Sequence, residues 1–257
     1  MPYTAHSVLG CVVLLASIPA SAQMTPISTC PFDIAQPGNY HVTQDLTCSG
    51  NGISITANDV KLHLDAHTIT GSGAFGFVGI AVTGSNDSIL GPGTVTNFNH
   101  DIFITPSFES ARNSGNRVVN VTATQATFYG YGISIEDSNS NTVITSTSDN
   151  NTGGGILLAG GHDNIAIANT ASGNAFEGIG LYSDIANGPT NDIVRANHTD
   201  RNGSYGIHIG PTSGGNLIQA NKAHGNTLFD LDDENSGCDS NTWKSNSFNT
   251  ANQPCIH

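Results

Sequence analysis

Gly132-Ile133, Gly155-Ile156, Gly178-Ile179, Gly206-Ile207 and Asp230-Leu231 recur through residues 132–231 at steps of 23, 23, 28 and 24 residues. A fixed period in this range marks a repeat architecture, because one such unit cannot bury its apolar face alone. Asparagine recurs inside each step. Asn141, Asn164, Asp192 and Asn216 stand 14 residues before the next Gly or Asp, and Asn169, Asn197 and Asn221 stand 9 before it. Asn151, Asn174, Asn202 and Asn226 stand 4 before it. Three punctuated segments per step describe a triangular coil. Each segment is too short for a helix and is bounded by Asn and Gly, as strands are.

Earlier in the chain the beat is set by Gly52-Ile53, Gly79-Ile80 and Asp101-Ile102, which brings the total to eight coils. With strands about 4.8 Å apart, the stack should be about 35–40 Å long. Alternation predicts that Ile133 and Ile135, Ile156 and Leu158, Ile179 and Leu181, Ile207 and Ile209 point inward. Ser134, Leu157, Gly180 and His208 then point outward between them. On the second strand Val143, Ala166, Val194, Ile218 and Trp243 are expected to face in. Small residues follow two places later, and then Asn169, Asn197, Asn221 or Asn246. Asn tolerates the left-handed backbone of a sharp turn, and stacked amides can bond in a ladder along the axis. The Asn row therefore reads as structural.

Residues 1–22 read as a signal peptide, with an apolar run from Val8 to Ile18 and a small-residue cleavage site at Ala20-Ser21-Ala22. The run is too short to span a bilayer, so no membrane association is expected after cleavage. Residues 23–50 read as an N-terminal cap over the open end of the stack, and residues 51–257 as the coils with a C-terminal cap. Beyond the leader, four cysteines remain, and four allow three connectivities. A solenoid keeps its ends far apart, so Cys30 with Cys48 and Cys238 with Cys255 is the expected pairing. Both the leader and the even count point to a secreted or periplasmic location.

Twenty acidic residues stand against seven Lys and Arg, a formal charge of −13. Nucleic acid and anionic membranes need basic surface and are poor partners. Polyuronates would likewise need a bridging cation. One uninterrupted repeat argues for a single elongated domain, expected to act as a monomer.

Units such as Asp163-Asn164-Ile165-Ala166-Ile167-Ala168-Asn169, followed by Glu177-Gly178-Ile179, resemble the right-handed parallel β-helices of the pectate-lyase-like superfamily. The likeness covers about residues 51–250. The closing segment Asp230-Leu231-x-Asp233, Cys238, Asn241-x-Trp243, Asn246-x-Phe248 and Cys255 is similar to that of many exported β-helix proteins. The resemblance implies an all-β solenoid of about eight three-strand coils with disulfide-closed ends. It also implies a saccharide groove on the first-strand face, walled by the inserted segments Thr105 to Gly115 and Ser183 to Thr190. The superfamily spans lyases, hydrolases, epimerases, esterases, adhesins and inert domains, so the fold does not choose among them.

No catalytic signature of these enzymes is present in full. Gly161-His162-Asp163 lacks the second Gly of the polygalacturonase motif, and the Asp-Pro-His-Glu of uronan epimerases is missing. Two surface groups remain. His208 and Asp232 hold equivalent positions in successive coils, and strict alternation puts Asp230 and Glu234 on the same face, with Tyr182 one coil away. Asp232, His208 and Asp230 are the catalytic candidates, because an Asp–His contact tunes a general base and paired carboxylates serve glycosidases. Tyr182 and Glu234 are the substrate-binding candidates. Solvated polar decoration is the competing reading of this cluster. On the third strand, His198, Asp200 and His224 have metal-ligand character, but Lys222 beside them disfavours a cation. No metal and no cofactor is assigned. The expected function is an exported carbohydrate-interacting protein, of polysaccharide hydrolase or lyase type, whose partner is a polysaccharide or cell-surface glycan. The alternative is a non-catalytic structural or adhesion module, favoured by the dull outer row Ser54, Ala81, Ser134, Leu157 and Gly180.

Overall fold

The computed structural model describes residue 1 and residues 24–106, 113–183 and 188–257. The signal-peptide reading therefore lies outside the described residues. The chain winds as a parallel β-helix with three sheets along its length. One has nine strands, from Phe32–Ile34 through Ile133–Glu136, Ile156–Ala159, Ile179–Tyr182 and Tyr205–Ile209 to Phe229–Asp233. A second has ten strands, ending at Thr242–Lys244, and the third side is split into sheets of five and two. Every pairing among the named strands is parallel and joins equivalent positions of successive coils, as in Ile133↔Ile156, Ile156↔Ile179 and Ile179↔Ile207.

Within residues 23–50, Phe32–Ile34, Gly38–Val42 and Leu46–Thr47 pair in parallel with the coil that follows and form one further turn, and Thr25–Ile27 pairs on the outer side of Gly38–Val42. Cys30–Cys48 closes that turn, and Cys238–Cys255 closes the other end.

Aliphatic columns fill the interior. Ile133, Ile156, Ile179, Ile207 and Leu231 are fully buried, and so are Val143, Ala166, Val194 and Ile218 facing them. Burying one such Ile or Leu contributes about 1.5–3 kcal/mol, so the column supplies most of the axial stability.

Asn side chains hold the corners. Asn197 Oδ1 accepts from the backbone N–H of Asn169 at 2.9 Å and from its Nδ2 at 3.1 Å. Asn197 Nδ2 donates to the Ala166 carbonyl at 2.9 Å and to Asn221 Oδ1 at 3.0 Å. The left-handed backbone expected of these Asn residues falls one place earlier, on Ala168, Ala196, Ala220 and Ser245. The reason is steric. The residue before the Asn makes the turn, which frees the Asn to point inward and bond along the axis.

A second ladder runs through Asn141, Asn164, Asp192, Asn216 and Asn241. Asp192 interrupts its donors. Its Oδ1 accepts from Asn164 N–H at 2.7 Å, but its Oδ2 is buried without a partner. Burial pushes its carboxyl up to about 7. The unfolded chain ionises near pH 4 while the folded chain resists ionisation until about 7, so stability falls as pH rises through that window. Asp192→Asn restores the Nδ2 donor that Asn164 and Asn216 direct to backbone carbonyls. The variant is expected to gain on the order of 2–4 kcal/mol at pH 8 and nothing at pH 3. Urea unfolding at the two pH values checks this. An equal effect at both would show that the lost donor, not the buried charge, sets the difference.

Candidate functional site

The outer surface of the nine-stranded sheet carries the polar and aromatic groups. Alternation breaks at the start of each strand. Gly206 and Ile207 are both buried, as are Asp230 and Leu231, so two successive residues face in and the residue before them faces out. That rule creates an outer row that strict alternation does not reveal: His100, Tyr131, Gly154, Glu177, Tyr205 and Phe229, aligned by the pairings His100↔Val78 and Tyr205↔Phe229.

Across this row the side chains form a continuous carpet. Tyr131 lies over Gly154, where a Cβ would sit 2.4 Å from its ring, and reaches two coils along the axis. Its hydroxyl donates to Glu177 Oε1 at 2.5 Å. Tyr182 lies over Gly180, where a Cβ would meet its ring at 2.5 Å. Burial and the adjacent Glu177 carboxylate push both phenols above their ordinary range, so each stays a donor. His100 continues the carpet in the other direction, stacked 5.2 Å from Phe103 and 6.4 Å from Tyr131.

His208 sits at the far end between two rings, 4.8 Å from Tyr182 and 4.6 Å from Tyr205. Its Nδ1 bonds Asp232 Oδ2 at 2.8 Å, with His208 and Asp232 only 3% and 4% exposed. The register that brings them together is direct: His208 pairs with Asp232 in successive strands. Among the described residues Nε2 of His208 has no hydrogen-bond partner. Glu234 stands beside the pair and is exposed. Burial and the charges of Asp232, Glu234 and Glu177 also raise the Tyr205 phenol.

Asp230 does not join them, which corrects its expected place on the same face. It occupies the inward position aligned with Gly206. Its carboxylate accepts from Asn226 N–H and Nδ2 at 3.1 and 2.9 Å, and from Asn249 and Thr250 N–H at 2.9 and 3.1 Å. Burial alone would raise this carboxyl, but those four donors outweigh it and hold the group below its usual range. A third ladder runs Asn151, Asn174, Asn202 and Asn226, each backbone N–H donating to the next side-chain oxygen, and Asp230 terminates it. Tyr182, Glu234, His208 and Asp232 are brought together. Tyr131, Glu177 and Tyr205 were missed by sequence reasoning, and the signal for them was their place immediately before the recurring Gly. Ser134 and Leu157 point outward as expected but are buried beneath this carpet. The inserted segments expected to wall the face fall at 107–112 and 184–187 in part, outside the described residues.

The third-strand group does not converge. His198 Nε2 bonds Asp200 Oδ2 at 2.5 Å, and Asp200 Oδ1 accepts from His224 N–H at 2.9 Å. The His224 ring turns away to Ser247 Oγ at 3.1 Å.

A parallel β-helix with an aromatic and acidic sheet face defines the class: a solenoid of pectate-lyase-like architecture. The chain belongs to the NosD family, described as periplasmic copper-binding protein, over residues 39–256. Solved structures similar to it include the periplasmic alginate epimerase AlgG, 16% identical with a TM-score of 0.51, covering 76% of this chain and 49% of that one. The Dettilon tailspike protein is 11% identical with a TM-score of 0.56, over 87% of this chain and 53% of its own. Pectate lyase Pel9A is 16% identical with a TM-score of 0.50, over 86% and 70%. The chain thus spans about half the length of the first two, and the likeness is one of fold. Comparison with curated proteins gave no match.

The family description raises copper. Among the described residues the one gathering of three ligating groups is His208, Asp232 and Glu234, with ligand atoms within 4.8 Å of one another. Cuprous ion favours thiolate and thioether sulfur. Here Cys30, Cys48, Cys238 and Cys255 are tied in disulfides, and Met24 is the one methionine besides Met1. Cupric ion takes a square nitrogen and oxygen set, but the cluster offers a single imidazole beside two carboxylates. These donors do not fit copper.

Proposed function

We propose that this protein works outside the cytoplasm as a glycan-binding, glycan-cleaving β-helix that uses the nine-stranded face. The observation that carries the reading is the buried His208–Asp232 pair clasped between Tyr182 and Tyr205. With Asp232 accepting from Nδ1–H, the neutral ring presents Nε2 as its basic nitrogen. A buried acceptor that orients an imidazole is the arrangement general acid–base chemistry needs. Glu234 supplies the second carboxylate that Asp230 does not. Tyrosine faces pack on sugar rings, and the Tyr131 hydroxyl is already held by Glu177, so that part of the platform is fixed before ligand arrives. The family's periplasmic description is consistent with an exported glycan as partner.

The test is a panel of neutral, amino and uronate oligosaccharides assayed for new reducing ends and for unsaturated products. New reducing ends from at least one member are expected. Binding on this face without any product would leave a recognition module and remove the catalytic half of the proposal.

A further inference from the structure

Resting on that glycan-binding reading, we infer that the corner where the chain enters the nine-stranded sheet is a docking rail for an uncharged, β-1,4-linked hexose chain. Gly130, Gly153, Phe176, Ser204 and Leu228 stack there in successive coils, each joined to the one before by a backbone hydrogen bond of 2.8–3.1 Å. Large apolar side chains stand out from alternate coils: Phe128 and Tyr129 beside Gly130, then Phe176, then Leu228. Gly153 and Ser204 keep the coils between them low. Phe75 extends the line at the other end. It packs edge-on against Phe128, and Tyr129 packs against Phe176, each pair with ring centres 5.8 Å apart. Phe75 and Tyr129 nevertheless remain 73% and 74% exposed.

The backbone is bent to display these rings. Phe128 and Tyr129 have φ of 52° and 62°, and across them Gly130 N–H donates to the Thr127 carbonyl at 2.9 Å. A tight turn with two left-handed residues ordinarily takes Asn and Gly, because a bulky side chain is strained there. Leaving both rings in water also forgoes the stabilisation of burying them. Neither choice helps the chain to fold. Strained residues that persist in this way cluster at ligand clamps.

Shape and charge identify the occupant. From Phe75 to Leu228 the strip follows the stacking axis for about 30 Å, long and narrow as a linear polymer is. Its apolar side chains recur on every second coil, about 10 Å apart, a step on the scale of two linked hexoses. A β-1,4-linked chain runs straight and turns each hexose half over, so every second one presents the same face. Its C–H faces pack on flat rings. Residues 71–78, 125–131, 150–154, 173–176, 202–205 and 225–229 contain no Asp, Glu, Lys or Arg. The corner segments therefore offer no counter-charge to a uronate and no carboxylate to an amine. The strip is also continuous with the site: Ser204 and Leu228 directly precede the aligned pair Tyr205 and Phe229, on the strands that carry His208 and Asp232.

The test is calorimetric binding of the full chain to cellohexaose, maltohexaose and a galacturonate hexamer. Cellohexaose should bind tightest, with an affinity that added salt leaves unchanged, and maltohexaose about tenfold more weakly. Tyr129→Asn and Phe176→Ser should each weaken cellohexaose about tenfold, the loss of one stacked ring. Asn tolerates the left-handed backbone, so Tyr129→Asn should unfold at no lower temperature than the wild type, which separates lost binding from lost fold. Cellohexaose binding unchanged in both variants, or matched by maltohexaose or galacturonate, would overturn the rail and leave glycan binding at the His208 platform standing. A dimer in sedimentation that Tyr129→Asn dissociates, with sugar affinity unchanged, would assign the strip to a second copy and overturn the rail likewise. Failure of all three sugars to bind would overturn both readings.

Discussion

Asp232→Asn is expected to cut turnover of the cleaved glycan by about 10²–10⁴, the range that general acid–base catalysis contributes. Asparagine keeps the shape of the side chain, but its amide no longer provides a carboxylate acceptor at 2.8 Å from His208 Nδ1. The imidazole then loses the charge that fixes its tautomer and stabilises its protonated form. His208→Ala should cost a similar factor, and the double variant little more than either single one, because the two act as a unit. Turnover is compared with thermal unfolding of the same samples. Asp232 faces out from the aliphatic column, so Asp232→Asn should unfold close to the wild type. A well-folded Asp232→Asn protein that retains full turnover would remove the pair from the chemistry.

Asn197→Ala should cost about 3–5 kcal/mol, a large part of the stability of an ordinary domain. The change removes one amide that makes four side-chain hydrogen bonds in a buried corner. It also leaves the Ala166 carbonyl and Asn169 N–H without those partners. A satisfied bond contributes about 1 kcal/mol net, whereas an orphaned buried group costs about 1–3 kcal/mol. Each coil touches only its neighbours, so a break here weakens the coupling between the two halves of the stack. Urea unfolding should show a lower midpoint and a broader transition. A cost under about 1 kcal/mol would mean that the aliphatic columns alone hold the coils in register.

The same residues show what could be read from the chain. The Gly-Ile beat and the spaced Asn residues report the coil directly, because every coil must repeat the same corner and the same inward aliphatic pair. The two disulfides follow from the distance between the ends. His208 and Asp232 were legible because both lie where strict alternation holds. Asp230 was not, because the chain faces inward twice in succession at that point, and period two cannot register the bend. Tyr131 was hidden for another reason. Its partner Glu177 lies 46 residues away, and the contact exists only because Gly154 leaves room for the ring to cross an intervening coil. The left-handed turn residue was displaced by one place because the Asn that follows is committed to the ladder.

The most direct test is a crystal of the protein soaked with the oligosaccharide that binds it tightest. The sugar should lie along the nine-stranded face over Tyr182 and Tyr205, with a hydroxyl or the glycosidic oxygen about 2.6–3.2 Å from His208 Nε2. Sugar ordered on the ten-stranded sheet or at either end of the stack, with the Tyr182–His208–Tyr205 platform bare, would contradict the assignment of this face.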